Sequence, residues 1–287
     1  MPSTTGTTRR TPLARLFTAG LFLALLAGCQ REATPEHAAA PPPQPAPADA
    51  GAADAAMPEA GPVLEDVIEH DPRYVIGISY PPGAAADPGL ARALHGYAEA
   101  ARGELMQAVG GLDAAPTAPY DLSLGFRELM RNAEVVAVAA DGSLYTGGAH
   151  GQPLVARFVW LPRQQRMLTA QDLLATPEGW KAVSDYVQEQ LGAAAHIRAA
   201  DEGLEPGDRE RLLAGALKMI ADGTGPDPAN FAQFEPLPAA DGRIAGLRFV
   251  FPPYQVGPYS DGVQTVDVPA AVLRPYLAAD LGGLFAG

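Results

Sequence analysis

The chain has 287 residues, a formal net charge of −13 and a single cysteine, and 47% of its residues are hydrophobic. A strongly acidic protein is repelled by nucleic acid and by anionic lipid headgroups, so neither is an expected partner, whereas a cationic protein is compatible with this charge. One cysteine cannot form a disulfide within the chain. The fold must therefore depend on a packed hydrophobic core, for which the chain is long enough.

Residues 1–28 have the parts of an export signal. Three arginines, Arg9, Arg10 and Arg15, precede the apolar run Leu16–Leu26, which is too short to cross a bilayer as a mature helix. Residues 26–29, Leu-Ala-Gly-Cys, resemble the lipobox of bacterial lipoproteins, in which the signal is removed and the cysteine becomes the lipidated N-terminus. The alternative is an ordinary secretory signal in which Cys29 is incidental. Removal of residues 1–28 takes away three arginines and no acidic residue, which changes the net charge from −13 to −16.

A lipid on Cys29 would hold the protein at a membrane through acyl chains, without a spanning helix. Gln30 follows the cysteine, where an aspartate would favour retention in the inner membrane. The resemblance to Gram-negative lipoproteins therefore implies an anchor in the outer membrane that faces the periplasm. The following residues are rich in alanine and proline, so residues 29–62 are predicted to form an extended tether that buries no core.

Residues 63–165 are predicted to form a first α+β half. Its apolar residues alternate where strands are expected and recur at helical spacing after Asp87, a favourable N-cap that precedes a proline. Two glycines should end this helix. In chain order, the predicted elements are the strand Tyr74–Tyr80, a helix from Pro88 to Val109, and the strands Tyr120–Leu124, Glu134–Ala140 and Leu154–Trp160.

The junction Ser143–Gln152 lies between two strong β-forming runs and contains Tyr145, two adjacent glycines and His150. Asp141-Gly142 before it fits either a tight hairpin turn or a bulge within one long strand. We prefer the bulge, because the three residues that follow are too few to form a separate strand. The strand after the junction should pair antiparallel with the strand before it.

Residues 166–287 are predicted to form a second α+β half that begins with helices. Thr169 and Asp172 have the spacing of a capping box, Thr176 precedes a second helix, and Asp208 is expected to cap a third. The apolar faces are Trp180, Val183, Val187 and Leu191 in the second helix, and Leu212, Leu213, Ala216, Leu217 and Ile220 in the third.

Strands follow these helices. The predicted elements are the strands Phe231–Glu235, Ile244–Phe251 and Val263–Val268, and a final helix that begins at Pro269 and carries Val272, Leu273, Tyr276 and Leu277. Because strands and helices are segregated rather than alternating, the whole pattern predicts an α+β fold. It should consist of mainly antiparallel sheets with packed helices, as two small subdomains in tandem.

Three segments together resemble a known pattern. They are Tyr145–His150 (Tyr-Thr-Gly-Gly-Ala-His), Leu168–Leu174 (Leu-Thr-Ala-Gln-Asp-Leu-Leu) and Phe249–Gly262, in which Pro-Tyr is followed by a second tyrosine. In combination they are similar to the paired extracellular domains of unknown function in the lysozyme-sensing anti-sigma factor RsiV and the peptidoglycan deacetylase PdaC. The likeness runs from Asp71 to Leu277. Residues 63–165 resemble the PdaC N-terminal type, and residues 166–287 resemble the RsiV C-terminal type.

The resemblance implies an envelope-facing α+β module and brings no activity with it. In PdaC-like proteins the deacetylase chemistry belongs to a separate domain that has no counterpart in this sequence. Sigma-factor binding is not expected either, because only a short basic stretch precedes the signal. What the resemblance supplies is a pair of candidate ligands, lysozyme-like enzymes and peptidoglycan.

His150 is the strongest candidate for chemistry, but the sequence places no metal ligands at a suitable spacing around it. The other histidines, His37, His70, His95 and His196, are isolated. Since zinc needs three or four protein ligands, no metal and no other cofactor is expected. The patterns Gly-x-Ser-x-Gly and Ser-x-x-Lys of serine nucleophiles do not occur, so no catalytic residue is assigned.

Two interpretations of the junction remain open. In the first, Tyr145–His150 is only a turn, whose glycines permit positive φ and whose histidine bonds to the main chain. In the second, four side chains converge into one aromatic surface that contacts a partner: Tyr145, His150, Tyr254 and Tyr259. The predicted function is a non-catalytic, lipid-anchored envelope module that binds an envelope component or a protein. The alternatives are an envelope enzyme that acts on peptidoglycan and a purely structural lipoprotein.

Overall fold

The structure is a computed structural model that describes residues 61–201 and 203–287. The predicted signal peptide, Cys29 and the tether up to residue 60 lie outside the described residues. The described part has the predicted α+β fold, with two sheets and with helices that pack against them. None of its helices is long and apolar enough to span a bilayer.

The larger sheet has six strands in sequential order. They are β1 Val67–Asp71, β2 Tyr74–Ser79, β3 Tyr120–Arg131, β4 Val136–Tyr145, β5 Gln152–Leu161 and β6 Arg166–Met167. Neighbouring strands are antiparallel except β2 and β3, which are parallel because helix α1 (Pro88–Gly110) connects them as a crossover. The smaller sheet is antiparallel throughout and consists of β7 Phe234–Pro238, β8 Ile244–Phe251 and β9 Gln264–Pro269.

Helix α1 begins at Pro88 and is followed by Gly111, as predicted. Asp87 holds the N-cap position, but its side chain makes no cap hydrogen bond. Its carboxylate instead pairs with Nη1 of Arg131 at 3.1 Å. The predicted N-cap position of Asp87 is therefore confirmed without the usual capping hydrogen bond, because a guanidinium is a stronger partner for a carboxylate than a backbone amide.

Strand β4 runs without interruption through Asp141 and Gly142, so the interpretation of one long strand is confirmed and the hairpin is excluded. The predicted bulge at this point is wrong, because the register is regular there and the irregularity lies in β3, between Glu128 and Met130. Gly142 has a different role. A Cβ at this position would collide with the carbonyl oxygen of Ser123 on β3, so only glycine allows the two strands to approach.

The helices of the second half are α2 Ala170–Leu173, α3 Pro177–Asp201, α4 Pro206–Gly223 and α5 Ala270–Leu273. The capping interaction predicted at Thr169 is confirmed. Oδ2 of Asp172 accepts from the backbone amide of Thr169 at 3.0 Å and from the hydroxyl of Thr169 at 2.7 Å. The predicted apolar face of α3 is buried.

Helix α4 differs from its prediction. It begins at Pro206 with Glu205 at the N-cap, so Asp208 lies in its first turn and does not cap it. Proline at the first helical position favours this earlier start. Leu212 and Leu217 were expected to be buried, but they are 42% and 37% exposed. The helix contacts the core through a narrower stripe than its sequence indicates.

The last predicted elements are shifted. Phe231 belongs to a 3₁₀ turn, Pro228–Phe231, and the strand expected there begins three residues later, at Phe234. The final helix is short, and a 3₁₀ turn, Arg274–Tyr276, continues it. By contrast, β8 has the predicted bounds, and its side chains Leu247, Phe249 and Phe251 are buried.

Two hydrophobic cores lie on opposite faces of the larger sheet. One lies between the sheet and α1 and contains four alternate side chains of β5: Leu154, Ala156, Phe158 and Trp160. The other is built from α3, the smaller sheet and side chains from the opposite face of the larger sheet, among them Ala137, Val159 and Leu161. The helices of the second half therefore pack against strands of the first.

Candidate functional site

Residues 146–151 connect β4 to β5 and carry His150 at the end of the larger sheet. Gly147 and Gly148 have φ values of 101° and 92°, which side-chain-bearing residues rarely adopt. The hydroxyl of Tyr145, at the end of β4, donates to the carbonyl of Gly148 at 3.3 Å. The glycines and this hydrogen bond together set the path of the loop.

The loop between β8 and β9 begins with a tight turn, in which the amide of Gln255 donates to the carbonyl of Pro252 at 3.1 Å. Pro253 and Tyr254 are the two central residues, and Tyr254 has a φ of 73°. Proline followed by a positive φ is the pattern of a type II turn, which normally has glycine at the second central position. A tyrosine there costs about 1 kcal/mol of backbone strain.

Side chains fix this loop to the body of the protein. Nε2 of Gln255 donates to the carbonyls of Gly223 and Asn230 at 2.9 and 2.7 Å. Farther along the loop, Nη1 of Arg198 at the end of α3 pairs with Oδ2 of Asp261 at 3.1 Å. These contacts position the loop independently of its tyrosine rings, which are left to face outward.

Three rings meet where these two loops approach each other, and we call His150, Tyr254 and Tyr259 the ring cluster. Tyr259 stacks on His150 with 4.0 Å between ring centroids and 18° between ring planes. The hydroxyl of Tyr254 lies 3.0 Å from Nε2 of His150, although the two residues are 104 positions apart in sequence. All three side chains are exposed, Tyr254 by 40% and Tyr259 by 36%.

For a neutral His150, the hydrogen bonds of the ring cluster are compatible with one tautomer. Because a carbonyl can only accept, Nδ1 carries the proton and donates to the carbonyl of Gly151 at 3.2 Å. Nε2 is then the acceptor for the hydroxyl of Tyr254. The hydroxyl of Tyr259 also donates to the Gly151 carbonyl, at 3.3 Å. Each polar atom of the three rings thus has a hydrogen-bond partner, either within the cluster or at the carbonyl of Gly151, and apolar ring surface is presented to solvent.

Three of the four predicted site residues lie together. Tyr145 does not contact the other three rings; it packs edge-on against Tyr120, with 6.4 Å between centroids, and supports the glycine loop. Sequence reasoning missed Gln255 and Gly223, which hold the second loop in place. Gln255 lies inside a motif segment and could have been considered. No local sequence signal marks Gly223, because its role depends on a distant loop.

The surroundings of His150 also bear on chemistry. Its hydrogen-bond partners are a main-chain carbonyl and a phenol, and neither is the carboxylate that commonly orients a catalytic histidine. Within the described ranges 61–201 and 203–287, no group of three or more histidine, cysteine, aspartate or glutamate side chains is placed to hold a metal ion. The arrangement is suited to contact through ring surfaces.

Comparisons with known proteins place a domain on part of the chain. No curated protein shows a significant match. A DUF3298 family protein from Pseudomonas aeruginosa PAO1 has a similar solved structure, with 18% identity, a TM-score of 0.43, and coverage of 79% of this chain and 99% of that one. A member of the same family from Bacteroides fragilis NCTC 9343 has 17% identity, a TM-score of 0.43, and coverage of 71% and 73%. Residues 172–271 match the family model itself, described as a protein of unknown function, so the chain contains a DUF3298 domain.

Proposed function

We propose that this chain is a non-catalytic, lipid-anchored module of the cell envelope, and that the ring cluster is its binding surface. The observation that carries the proposal is the meeting of three exposed rings from loops 104 positions apart, in which the Tyr254 hydroxyl is hydrogen-bonded to His150 and the Tyr259 hydroxyl to the carbonyl of Gly151. Exposed aromatic side chains bury a large area on binding and lose little conformational entropy. A preassembled cluster reduces that entropy loss further.

Tyr254 supports a role in binding more than a role in folding. Its backbone conformation favours glycine, and its ring is 40% exposed, so the side chain gains little from burial in the core. Strained backbone conformations persist where the surrounding structure enforces them, and they are common at binding sites. A tyrosine retained under strain at the surface is explained if its ring contacts a ligand.

The ligand that we propose is an envelope component or a protein directed at the envelope, with peptidoglycan and lysozyme-like enzymes as candidates. A mature chain of net charge −16 would attract a basic enzyme by electrostatic steering, which salt weakens. The glycans of peptidoglycan would instead contact the ring faces. The enzyme alternative is less well supported, because no carboxylate in the described part of the chain is hydrogen-bonded to His150.

Binding can be tested with a soluble chain that starts at residue 29 and carries Cys29→Ser. Purified lysozyme is titrated by calorimetry at low and moderate salt, and peptidoglycan sacculi are tested by co-sedimentation. We expect binding to one of them, roughly tenfold weaker in Tyr254→Gly because a buried tyrosine anchor contributes above 1 kcal/mol. If neither ligand binds, both candidates are removed. If Tyr254→Gly binds with full affinity, the ring cluster is not the binding surface.

The anchor is a separate part of the proposal. If Cys29 is lipidated, the wild-type protein fractionates with the outer membrane and its N-terminal peptide carries acyl chains by mass spectrometry. Cys29→Ser should abolish both properties while the folded part of the chain is unchanged. An unmodified N-terminal peptide in the wild type would contradict the lipoprotein assignment.

A further inference from the structure

The two segments that carry the ring cluster are nearly free of charge. Residues 142–156 contain no lysine, arginine, aspartate or glutamate, and residues 249–266 contain only Asp261, although 18% of the whole chain is charged. The carboxylate of Asp261 is itself paired with Arg198 at 3.1 Å. The acidic residues that give the chain its net charge therefore lie almost entirely outside these two segments. The segments supply no unpaired carboxylate with which a basic protein could pair.

The loop that carries His150 has exposed backbone donors. Gly147 and Gly148 are both exposed, and since glycine has no side chain, it is their main chain that meets solvent. Their amides have no hydrogen-bond acceptor within residues 61–201 and 203–287. A backbone amide is a strong donor, so these two can bind an acceptor on a ligand. The net negative charge of the chain disfavours an anion there and favours an uncharged acceptor, such as a carbonyl oxygen.

These donors lie beside the ring cluster and are held in place. His150 follows Gly148 by two positions, so at most about 7 Å of extended chain separates their Cα atoms. The hydroxyl of Tyr145 donates to the carbonyl of Gly148, and a Cβ at Gly147 would lie only 3.7 Å from the ring of Tyr120. Donors that are already positioned lose little entropy when a ligand binds. A ligand stacked on the ring cluster is thus within reach of both amides.

Stacked faces and carbonyl acceptors together describe one class of ligand. Tyr259 and His150 cover one face of each other, so the exposure of Tyr259 and Tyr254 leaves ring surface for a ligand. A sugar ring places its C–H groups on such a surface while its hydroxyls stay in water. An N-acetyl group adds a carbonyl oxygen to each sugar that carries it. A plain glucan lacks this acceptor, and a deacetylated glucosamine has a positive charge that finds no unpaired carboxylate in these segments.

We propose that the ligand of the ring cluster is a glycan of N-acetylated hexosamines rather than a basic enzyme, an inference that rests on the proposed function of this surface. A sugar ring stacks on the tyrosine rings, and its acetamido carbonyl, or that of the next sugar, accepts from the amides of Gly147 and Gly148. Stacking supplies affinity, and the amides select the N-acetyl group. The glycan strands of peptidoglycan and chitin share this chemistry.

Four probes separate the candidates: a chitin hexasaccharide, glycan strands of peptidoglycan freed of their peptides, cellohexaose, and lysozyme. Each is titrated separately into the chain from residue 29 with Cys29→Ser, and backbone amides are followed by NMR. We expect both N-acetylated glycans to shift amides within residues 146–151 and 254–260, including those of Gly147 and Gly148. Cellohexaose lacks acetamido groups, so it should leave the amides of Gly147 and Gly148 unshifted. The N-acetylated glycan that binds more tightly indicates the natural source.

Substitutions test the stacking. Tyr254→Gly should weaken binding of the chitin hexasaccharide roughly tenfold, because one ring face is lost. The matched control is Tyr186→Leu, which removes a half-buried tyrosine ring from α3, outside both segments, and should leave the affinity unchanged. Unchanged amide shifts in β2 and β3 show that each variant remains folded.

Failure of this inference differs from failure of the proposed function. If lysozyme shifts the ring cluster amides and neither N-acetylated glycan does, the proposed function stands and the glycan assignment is overturned. If none of the probes shifts these amides, the proposed function fails together with the assignment. The assignment is also overturned if cellohexaose shifts Gly147 and Gly148 as chitin does, or if the folded Tyr254→Gly variant binds the hexasaccharide with full affinity.

Discussion

Tyr254 combines backbone strain with an exposed ring, and the two can be separated by substitution. Tyr254→Gly relieves about 1 kcal/mol of strain but loses a hydrogen bond to His150 of similar value, so its free energy of unfolding should stay within about 1 kcal/mol of wild type. Tyr254→Ala keeps the strain and loses the bond, so it should be less stable. Urea denaturation measures the free energy of unfolding of both variants. Equal stability of the two variants would show that the backbone at Tyr254 is not strained.

Tyr97 is buried on α1 at 5% exposure, and its hydroxyl has no hydrogen-bond partner among the residues that the structure describes. An unsatisfied buried hydroxyl is unfavourable, so Tyr97→Phe should raise the free energy of unfolding by about 1 kcal/mol at neutral pH. Thermal or urea denaturation measures the change. Destabilisation by more than the error of the measurement would indicate a partner for this hydroxyl, such as a buried water.

The same tyrosine predicts a dependence on alkaline pH. Burial raises the pKa of Tyr80 to about 12 and raises the pKa of Tyr97 above its ordinary value of 10.0. The folded state then holds these protons more tightly than the unfolded state. Their contribution to stability is complete below pH 10.0 and is lost as the pH rises towards 12. In Tyr97→Phe the fall in stability over this range should be smaller than in wild type.

At the scale of elements, contact between α4 and the loop after β8 depends on Gly223. A Cβ at this position would collide with the carbonyl of Gln255, whereas a Cβ at Gly215 in the same helix meets nothing. Gly223→Ala should therefore displace the loop, lower the free energy of unfolding by about 2 kcal/mol and disrupt the ring cluster. Gly215→Ala should instead stabilise the protein by up to about 1 kcal/mol through helix propensity. If both variants behave alike in denaturation, this contact does not position the loop.

Elements with a strong local pattern could be predicted from the sequence. Strand β8 has large apolar residues at the alternate positions Leu247, Phe249 and Phe251, and α1 has a proline at its start and glycines at its end, so the sequence places both elements well. Features that depend on distant partners could not be placed. The parallel pairing of β2 with β3, the exposure of Leu212 and the ion pair of Asp87 with Arg131 each depend on residues far away in sequence.

The candidate site shows the same division. The rings of His150, Tyr254 and Tyr259 were recognised as a group because their motifs are unusual for simple turns. Their mutual contacts, the tautomer of His150 and the separate position of Tyr145 depend on how the loop before β5 meets the loop after β8. Patterns within a short stretch of sequence do not show that these two loops meet. The binding role of these residues stays a prediction.

At the scale of the whole molecule, Arg157 joins the two sheets. Its side chain is 6% exposed and lies 2.9 Å from Asp141 on β4 and 3.6 Å from Glu235 on β7. Its backbone amide also donates to Gln233 at 2.7 Å. Since the cores on both sides share the larger sheet, we expect the described part of the chain to unfold in one cooperative transition.

Arg157→Met should lower the free energy of unfolding by about 3 kcal/mol, because it removes the guanidinium that pairs with the mostly buried carboxylate of Glu235. Arg248, opposite Glu235 on β8, compensates only in part because its guanidinium is hydrogen-bonded to Asp267. Addition of Glu235→Gln to this variant should restore part of the loss. Urea denaturation of the single and double variants measures both effects. A double variant that is no more stable than Arg157→Met would show that Glu235 does not contribute to the interaction.

The central claim is that the ring cluster binds a ligand through its ring surfaces. Its most direct test compares wild type with the double variant Tyr254→Gly, Tyr259→Ser for binding to lysozyme and to peptidoglycan sacculi, with the unfolding free energy of both proteins measured in parallel. We predict that the variant stays folded, with stability within about 2 kcal/mol of wild type, and loses binding. Equal binding by the folded variant would contradict the claim and leave the cluster as a joint between two loops.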